Sequence, residues 1–336
     1  MSAPQSTPSP QLIFETLGGY QRSAALKAAI ELDVFSAIGK DGATAASIAK
    51  KTSAHERGIR MLCDGLVAYG LLTKADQRYG LTAESAFFLD RGSPAYIGST
   101  AAFLTSDVLL QAFGKLTDSV RKGGTALDRD STADENPMWV NFARSMAPMM
   151  MMPAQAIAQI VASGPGPMRV LDVAAGHGMF GLSVARRNPA AEVTAQDWAS
   201  VLQVAQENAQ RFGVQDRFRK LEGSAFSVEF GDGWDLVLFT NFLHHFDTAA
   251  CEQLARKAHA ALKPGGKLGI VEFVPNDDRV SPPPAATFAV TMLATTAAGD
   301  TYTYAQLERI CANAGFTKVE RHDLHPTPQT FVLATK

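Results

Sequence analysis

Arg169-Val170-Leu171-Asp172-Val173-Ala174-Ala175-Gly176-His177-Gly178-Met179-Phe180-Gly181 is an apolar strand that runs into a glycine-rich turn and then a helix. An acidic residue, Asp197, follows about 20 residues after the second glycine. Glycines let a backbone approach a ligand closely, and a helix N-terminus faces it with free N–H groups. An acid at the end of the next strand accepts hydrogen bonds from two ribose hydroxyls. The layout therefore suits an adenosine-bearing cofactor. Two spacings compete within it. Gly176-x-Gly178-x-x-Gly181 fits the dinucleotide fingerprint. Asp172-x-x-x-Gly176-x-Gly178 starts instead on an acid inside the strand, with Ala174 and Ala175 ahead of the first glycine. A plain tight turn between strand and helix is the third reading.

Working outward, Gly164-Pro165-Gly166-Pro167 reads as a linker, and the pattern changes after it. Apolar runs 169–173, 192–195, 218–222, 235–239 and 267–273 alternate with helical segments that include 201–211 and 251–262. Such alternation predicts a doubly wound, mainly parallel α/β sheet. Lys263-Pro264-Gly265-Gly266 reads as a stop and turn before the fifth strand. A helix over 304–314 is capped by Thr303 and Gly315, and strands 317–322 and 329–335 form a closing hairpin. That hairpin makes one strand at the edge of a seven-stranded sheet antiparallel.

Upstream, the pattern is helical. Residues 1–10 are Pro/Ser-rich and read as a disordered tail. Helices over 44–50 and 55–69, then strands around Leu71–Thr73 and Tyr79–Thr82, make a winged-helix layout within a domain over 11–92. A helical linker runs over 93–163, with a Gly/Asp-rich loop from Gly123 to Pro137. The α/β domain spans 164–336.

Composition narrows the function. Hydrophobic residues make up 46% and charged residues 19%, as in an ordinary globular protein. The net charge of −2 argues against bulk attraction to nucleic acid or an anionic membrane. Cys63, Cys251 and Cys311 lie far apart, with neither metal spacing nor a disulfide framework, and fit a reducing, cytoplasmic compartment. The most apolar run, 146–162, is interrupted by Pro148 and Pro153, so no segment reads as membrane-spanning. A winged helix raises DNA binding, but residues 1–100 carry ten Lys/Arg against nine Asp/Glu, too balanced for a footprint on phosphate.

With these elements assembled, the chain resembles the two-domain small-molecule O-methyltransferase family of class I, S-adenosylmethionine-dependent enzymes. The resemblance runs from about residue 12 to the end and rests on 24–35, 44–72 and 79–82, on 169–178, Asp197, 223–226, 241–251 and 263–273. It implies S-adenosyl-L-methionine as cofactor, a small-molecule substrate, and a homodimer formed through the N-terminal domain. No metal, nucleic acid or membrane is implied. Asp172 then heads an acidic-x-Gly-x-Gly-x-Gly loop in which Ala174 replaces the first glycine. Gly176, Gly178, Asp197, Trp198, Ala225, Phe226 and Thr240 fall at cofactor positions. Ser224 stands where the family usually has an acid for the adenine amino group.

His244 matches the general-base histidine and Glu272 the carboxylate that orients it, while His245 shapes the pocket. A second acid is common in a Gly-x-Glu-Arg-Thr-like segment. Here Thr301 holds that position, with Asp300 beside it. Phe142, Met146, Asn241, Met292 and Thr296 fall on the substrate walls, the last two on a helix over 285–298. The implied activity is O-methylation of a small aromatic or polyketide-like hydroxyl. Methyl transfer to carbon or nitrogen, and a scaffold that binds the cofactor without methylating, stay open.

Overall fold

The computed structural model describes residues 8–132, 136–162 and 164–336. The expected tail lies outside the described residues up to Thr7, and Pro8 to Pro10 are exposed coil. Two compact units divide between Ser106 and Asp107.

The first unit contains α1 (Gln11–Leu17), α2 (Gly19–Glu31), α3 (Val34–Ile38), β1 (Ala43–Thr44), α4 (Ala45–Thr52), α5 (Glu56–Ala68), β2 (Leu72–Ala75), β3 (Arg78–Leu81), α6 (Ala83–Phe88) and α7 (Ala101–Leu104). The Thr44 hydroxyl accepts the Ser47 N–H and starts α4. Asp76 and Gln77 both take positive φ, 47° and 63°, the left-handed turn geometry that suits a twisted hairpin. The hairpin pairs β2 with β3, and β1 adds on the far side of β3. Phe35, Ile48, Ile59, Leu66 and Tyr79 are the large buried side chains of this unit.

The second unit opens with α8 (Asp107–Gly114), α9 (Leu116–Lys122) and α10 (Met138–Val161). As the helical pattern up to residue 162 predicts, the apolar run is helical, and α10 continues through both Pro148 and Pro153. No helix among the described residues is long and apolar enough to cross a membrane. Then follow β4 (Met168–Val173), α11 (Met179–Arg187), β5 (Ala191–Asp197), α12 (Ala199–Arg211), β6 (Phe218–Glu222), β7 (Trp234–Thr240), α13 (Thr248–Ala261), β8 (Leu262–Glu272), α14 (Pro283–Thr295), α15 (Tyr304–Asn313), β9 (Lys318–Asp323) and β10 (Thr330–Thr335).

These strands form one sheet in the order β6-β5-β4-β7-β8-β10-β9. The five from β4 to β8 are parallel, as the alternating pattern predicts. Their central members are apolar on both faces because helices cover both. The antiparallel strand is β10, and it sits one place in from the edge, between β8 and β9. Burial explains the order. Phe331, Val332, Leu333 and Ala334 are buried, whereas β9 is the charged run Lys-Val-Glu-Arg-His-Asp, suited to a sheet edge.

Lys263-Pro264-Gly265-Gly266 does not precede β8 but lies inside it. Trp234 pairs with Leu262 and Leu236 with Lys267, so the four residues form an irregular bulge between two paired stretches.

The parallel sheet presents its carboxyl edge as the place where loops gather. There the chain twice takes left-handed backbone without glycine, at Ala174 (φ 51°) and Asn241 (φ 52°). Asparagine tolerates this geometry and alanine does not. Ala174→Gly is therefore expected to raise the unfolding free energy by roughly 0.5–1 kcal/mol, after the extra freedom of an unfolded glycine is subtracted. Denaturant titration of both proteins checks this, and a less stable variant contradicts it.

Candidate active site

Three strand-end acids organise the carboxyl edge. Asp172, fully buried near the end of β4, accepts the Gly181 N–H at 2.9 Å through one oxygen, Oδ2. A side chain at Gly181 would meet Val193 at 2.7 Å and the Asp172 carboxylate at 2.9 Å, so glycine is required there for close packing. The other Asp172 oxygen, Oδ1, is buried without a partner. Asp197, at the end of β5, accepts the Gly176 N–H at 2.8 Å and the Trp198 N–H at 2.7 Å on different oxygens. Gly176 and Gly178 adopt left-handed φ of 56° and 75°. Burial pushes the Asp172 carboxyl up to about 7, with the Asp197 charge adding to it. Burial likewise pushes Asp197 up to about 6.

His177, between the two glycines, braces the turn. Its Nδ1 accepts the Met179 N–H at 3.2 Å, and its carbonyl accepts the Asn208 amide at 2.9 Å. Burial pulls its imidazole down to about 4, so it is neutral. Phe142 of α10 stacks on His177 with ring centres 6.1 Å apart. Trp198 packs against a buried cluster of Ala143 from α10 with Val201 and Val204, against which Trp139 and Val140 of α10 also pack. The Ser224 hydroxyl accepts the Phe226 N–H at 3.3 Å. Ala225 and Phe226 join the main core, and Phe226 meets Phe246 edge to face. Thr240 is buried at the end of β7.

Two supporting residues escaped the sequence reading. Gln196 donates to the Gly223 carbonyl at 2.5 Å and accepts the Ala174 N–H at 3.3 Å, tying three strand ends together. Lys257 of α13 donates to the carbonyls of Ala225 and Phe226 at 2.8 and 3.1 Å. An inward polar residue next to Asp197 was a usable signal for Gln196. Lys257 offered none, because its partners lie more than 30 residues away.

The third acid is Glu272, the last residue of β8. One oxygen accepts the backbone N–H groups of Phe242 and His244 at 3.0 and 3.2 Å, and the other lies 2.5 Å from His244 Nδ1. Both side chains are almost fully buried. A carboxylate on Nδ1 holds the proton there and leaves Nε2 with its lone pair. His245 lies against His244 and Trp139, with ring centres 4.3 and 5.1 Å away. Its Nδ1 is buried without a partner, and burial followed by the neighbouring His244 holds its pKa well below the usual imidazole range.

The segment after α14 supports this turn through its backbone. A side chain at Gly299 would lie 2.3 Å from the His244 carbonyl oxygen, and the Tyr302 hydroxyl donates to the Phe246 carbonyl. Asp300 is claimed by Arg279, with contacts of 2.6 and 2.7 Å, and Thr301 is buried. Met146 and Met292 are buried on α10 and α14. The helix expected over 285–298 ends at Thr295, so Thr296 is its C-cap in extended geometry. The Thr296 hydroxyl donates to Met292 O and accepts the Gly299 N–H, which engages it in the helix end. Among the described residues no cluster of His, Cys, Asp or Glu suits a metal ion.

Residues 116–317 match the model of the O-methyltransferase domain. The chain belongs to the O-methyltransferase family. Residues 14–91 match the O-methyltransferase dimerisation domain. The enzyme is similar to mouse acetylserotonin O-methyltransferase, 29% identical over 90% of this chain and 82% of the relative. It is also 28% identical to the 3-hydroxy-5-methyl-1-naphthoate 3-O-methyltransferase of Streptomyces sahachiroi, over 92% of this chain and 90% of the relative. A crystal structure of a Nostoc punctiforme protein, provisionally named an O-methyltransferase, is 51% identical and superposes with a TM-score of 0.95 over 98% of this chain and 100% of the other. The enzyme is therefore an S-adenosylmethionine-dependent methyltransferase.

The residues present fit that cofactor. Asp172 carries a buried oxygen without a partner among the described residues, Asp197 keeps a spare lone pair on each oxygen, and burial makes both acids harder to ionise, a cost that a neighbouring cation would offset. The sign of the pH dependence follows. A cationic ligand prefers the ionised acids, so binding at pH below about 7 and about 6 must first expel their protons. Affinity for S-adenosylmethionine is expected to be greatest near pH 7.5 and to fall by about tenfold or more towards pH 5.5. Calorimetric titration across that window measures it. In Asp172→Asn the component near pH 7 should vanish, and an unchanged profile would remove Asp172 from cofactor binding.

Proposed function

We propose that the enzyme O-methylates a hydroxyl on a small aromatic molecule, with His244 as general base and Glu272 as the group that positions it. The observation that carries this reading is the buried His244–Glu272 pair at the carboxyl edge of the sheet. A neutral hydroxyl is a poor nucleophile at physiological pH, and an imidazole with a free Nε2 takes its proton. Glu272 stabilises the imidazolium that results and keeps the ring in one orientation. Asp300 is committed to Arg279, so on this reading Glu272 orients the base without a second acid.

S-adenosylmethionine supplies a methyl group on a cationic sulfur, which keeps the bonding pair when the methyl leaves. Asp172, the Gly176–Gly178 turn and Asp197 hold it, with Thr240, Trp198 and the Ser224–Phe226 turn around it. The acceptor oxygen becomes anionic as His244 takes its proton, and opposite charges cancel in the transition state. A site that excludes water favours that cancellation over bulk solvent. Phe142, Met146, Asn241 and Met292 line the acceptor side, with Thr296 closing α14 beneath them. Adaptable methionines beside aromatic rings suit a flat ring system. The naphthoate acted on by the Streptomyces relative is consistent with this.

The N-terminal unit serves homodimerisation on this reading. Leu12, Ile13, Phe14, Leu17 and Tyr20 are each more than 60% exposed along α1 and the start of α2, a stripe that a partner would cover.

His244→Gln is expected to lower kcat by about 10²–10⁴-fold. Its affinity for S-adenosylmethionine should stay within about twofold, because the histidine has no part in the glycine loop. Single-turnover assays with carbon-13 methyl donor read both the rate and the atom methylated. Full activity in the variant, or a carbon- or nitrogen-linked product from the wild type, would overturn the proposal.

A further inference from the structure

Two carboxamides beside the proposed base, that of the part-buried Asn241 and that of the buried Gln329, leave their carbonyl oxygens unpartnered among the described residues. Asn241 Nδ2 reaches the Met150 sulfur at 3.7 Å, and Gln329 Nε2 reaches the same sulfur at 3.8 Å. A thioether is only a weak acceptor. The carbonyl oxygens of both amides, Asn241 Oδ1 and Gln329 Oε1, are buried and have no hydrogen-bond partner among the described residues. Turning either amide over does not help, because the oxygen would then face the sulfur and the NH2 group would be orphaned. Buried amide oxygens are nearly always satisfied in folded proteins, so two on one methionine call for a donor that the described residues do not provide.

Their position says where that donor comes from. Asn241 directly follows β7, three residues before His244. Thr330 pairs with Glu272 in the sheet, so Gln329 sits one residue beyond the partner of the positioning acid. Both amides thus stand at the carboxyl edge, next to the His244–Glu272 pair. Asn241 has a second reason to be asparagine, since its left-handed φ of 52° disfavours other side chains. Gln329 has no such backbone reason, being 3% exposed and outside the left-handed region.

We infer that Asn241 and Gln329 form an acceptor pair that selects an aromatic substrate carrying a second hydrogen-bond donor besides the hydroxyl that is methylated. This rests on the reading of that edge as the acceptor side of the enzyme. The donor is a further hydroxyl or an N–H on the same molecule. A site built around unpartnered acceptors rejects an analogue that lacks the donor more strongly than an apolar wall rejects a misfit.

The test uses the full chain with S-adenosylhomocysteine and two probes, 2-naphthol and a set of dihydroxynaphthalene isomers. In calorimetry, at least one dihydroxy isomer is expected to bind the wild type about tenfold or more tightly than 2-naphthol. Gln329→Met keeps the length of the side chain and removes the amide, and Asn241→Gly keeps the left-handed backbone. Each should bring the affinity ratio to within about twofold. Gln329→Glu retains an acceptor and should retain the preference, which guards against a packing effect of the methionine. Equal binding of all probes by the wild type, or a ratio that survives in both amide-free variants, overturns the inference. Methylation of the same panel is scored separately. Discriminating binding with no oxygen-methylated product supports the acceptor pair while overturning the O-methylation reading.

Discussion

A carboxylate buried at the end of a parallel strand has to be satisfied by nearby N–H groups, and this requirement shapes the functional edge of the enzyme. Asp172 claims the N–H of Gly181, Asp197 those of Gly176 and Trp198, and Glu272 those of Phe242 and His244. Each acid therefore pins the loop that follows its own strand or a neighbouring one. Leaving such a group unpaired costs about 1–3 kcal/mol, more when it is charged, so the acids and the loops hold one another in place.

The three acids differ in what they have left to give. Glu272 already serves two backbone N–H groups and an imidazole, which suits a fixture that positions another residue. Asp172 has an unused buried oxygen, burial raises the cost of ionising both Asp172 and Asp197, and the Asp197 charge adds to that of Asp172. A pair of that kind attracts positive charge. On the proposed reading, the electrostatics separate a binding end, around the glycine turn, from a proton-transfer end at His244, although both lie along one sheet edge.

Much of this was legible in the chain. The alternation after residue 164 predicted the five parallel strands, and Asp172, Gly176, Gly178 and Asp197 announced the turn, because those features depend on neighbours within a strand, a turn and a helix. The departures have local causes. Lys263-Pro264-Gly265-Gly266 looks like a turn in isolation, yet Trp234 and Leu236 offer pairing on either side of it and absorb it as a bulge. The helix predicted to reach residue 298 stops at Thr295, where the Thr296 hydroxyl takes over the cap.

What residue pattern settles here is the glycine turn and the class of sheet, since φ preferences, apolar periodicity and glycine spacing act over short stretches of chain. What it leaves open is which distant side chains meet. Asn241 and Gln329 converge on Met150 across 91 and 179 residues of sequence, and Arg279 takes Asp300 away from the histidine across 21. Those encounters depend on the order of strands in the sheet, on β10 entering between β8 and β9 above all. Strand order follows from how much apolar surface each strand buries against the rest of the fold, a property of the whole chain that no single motif carries.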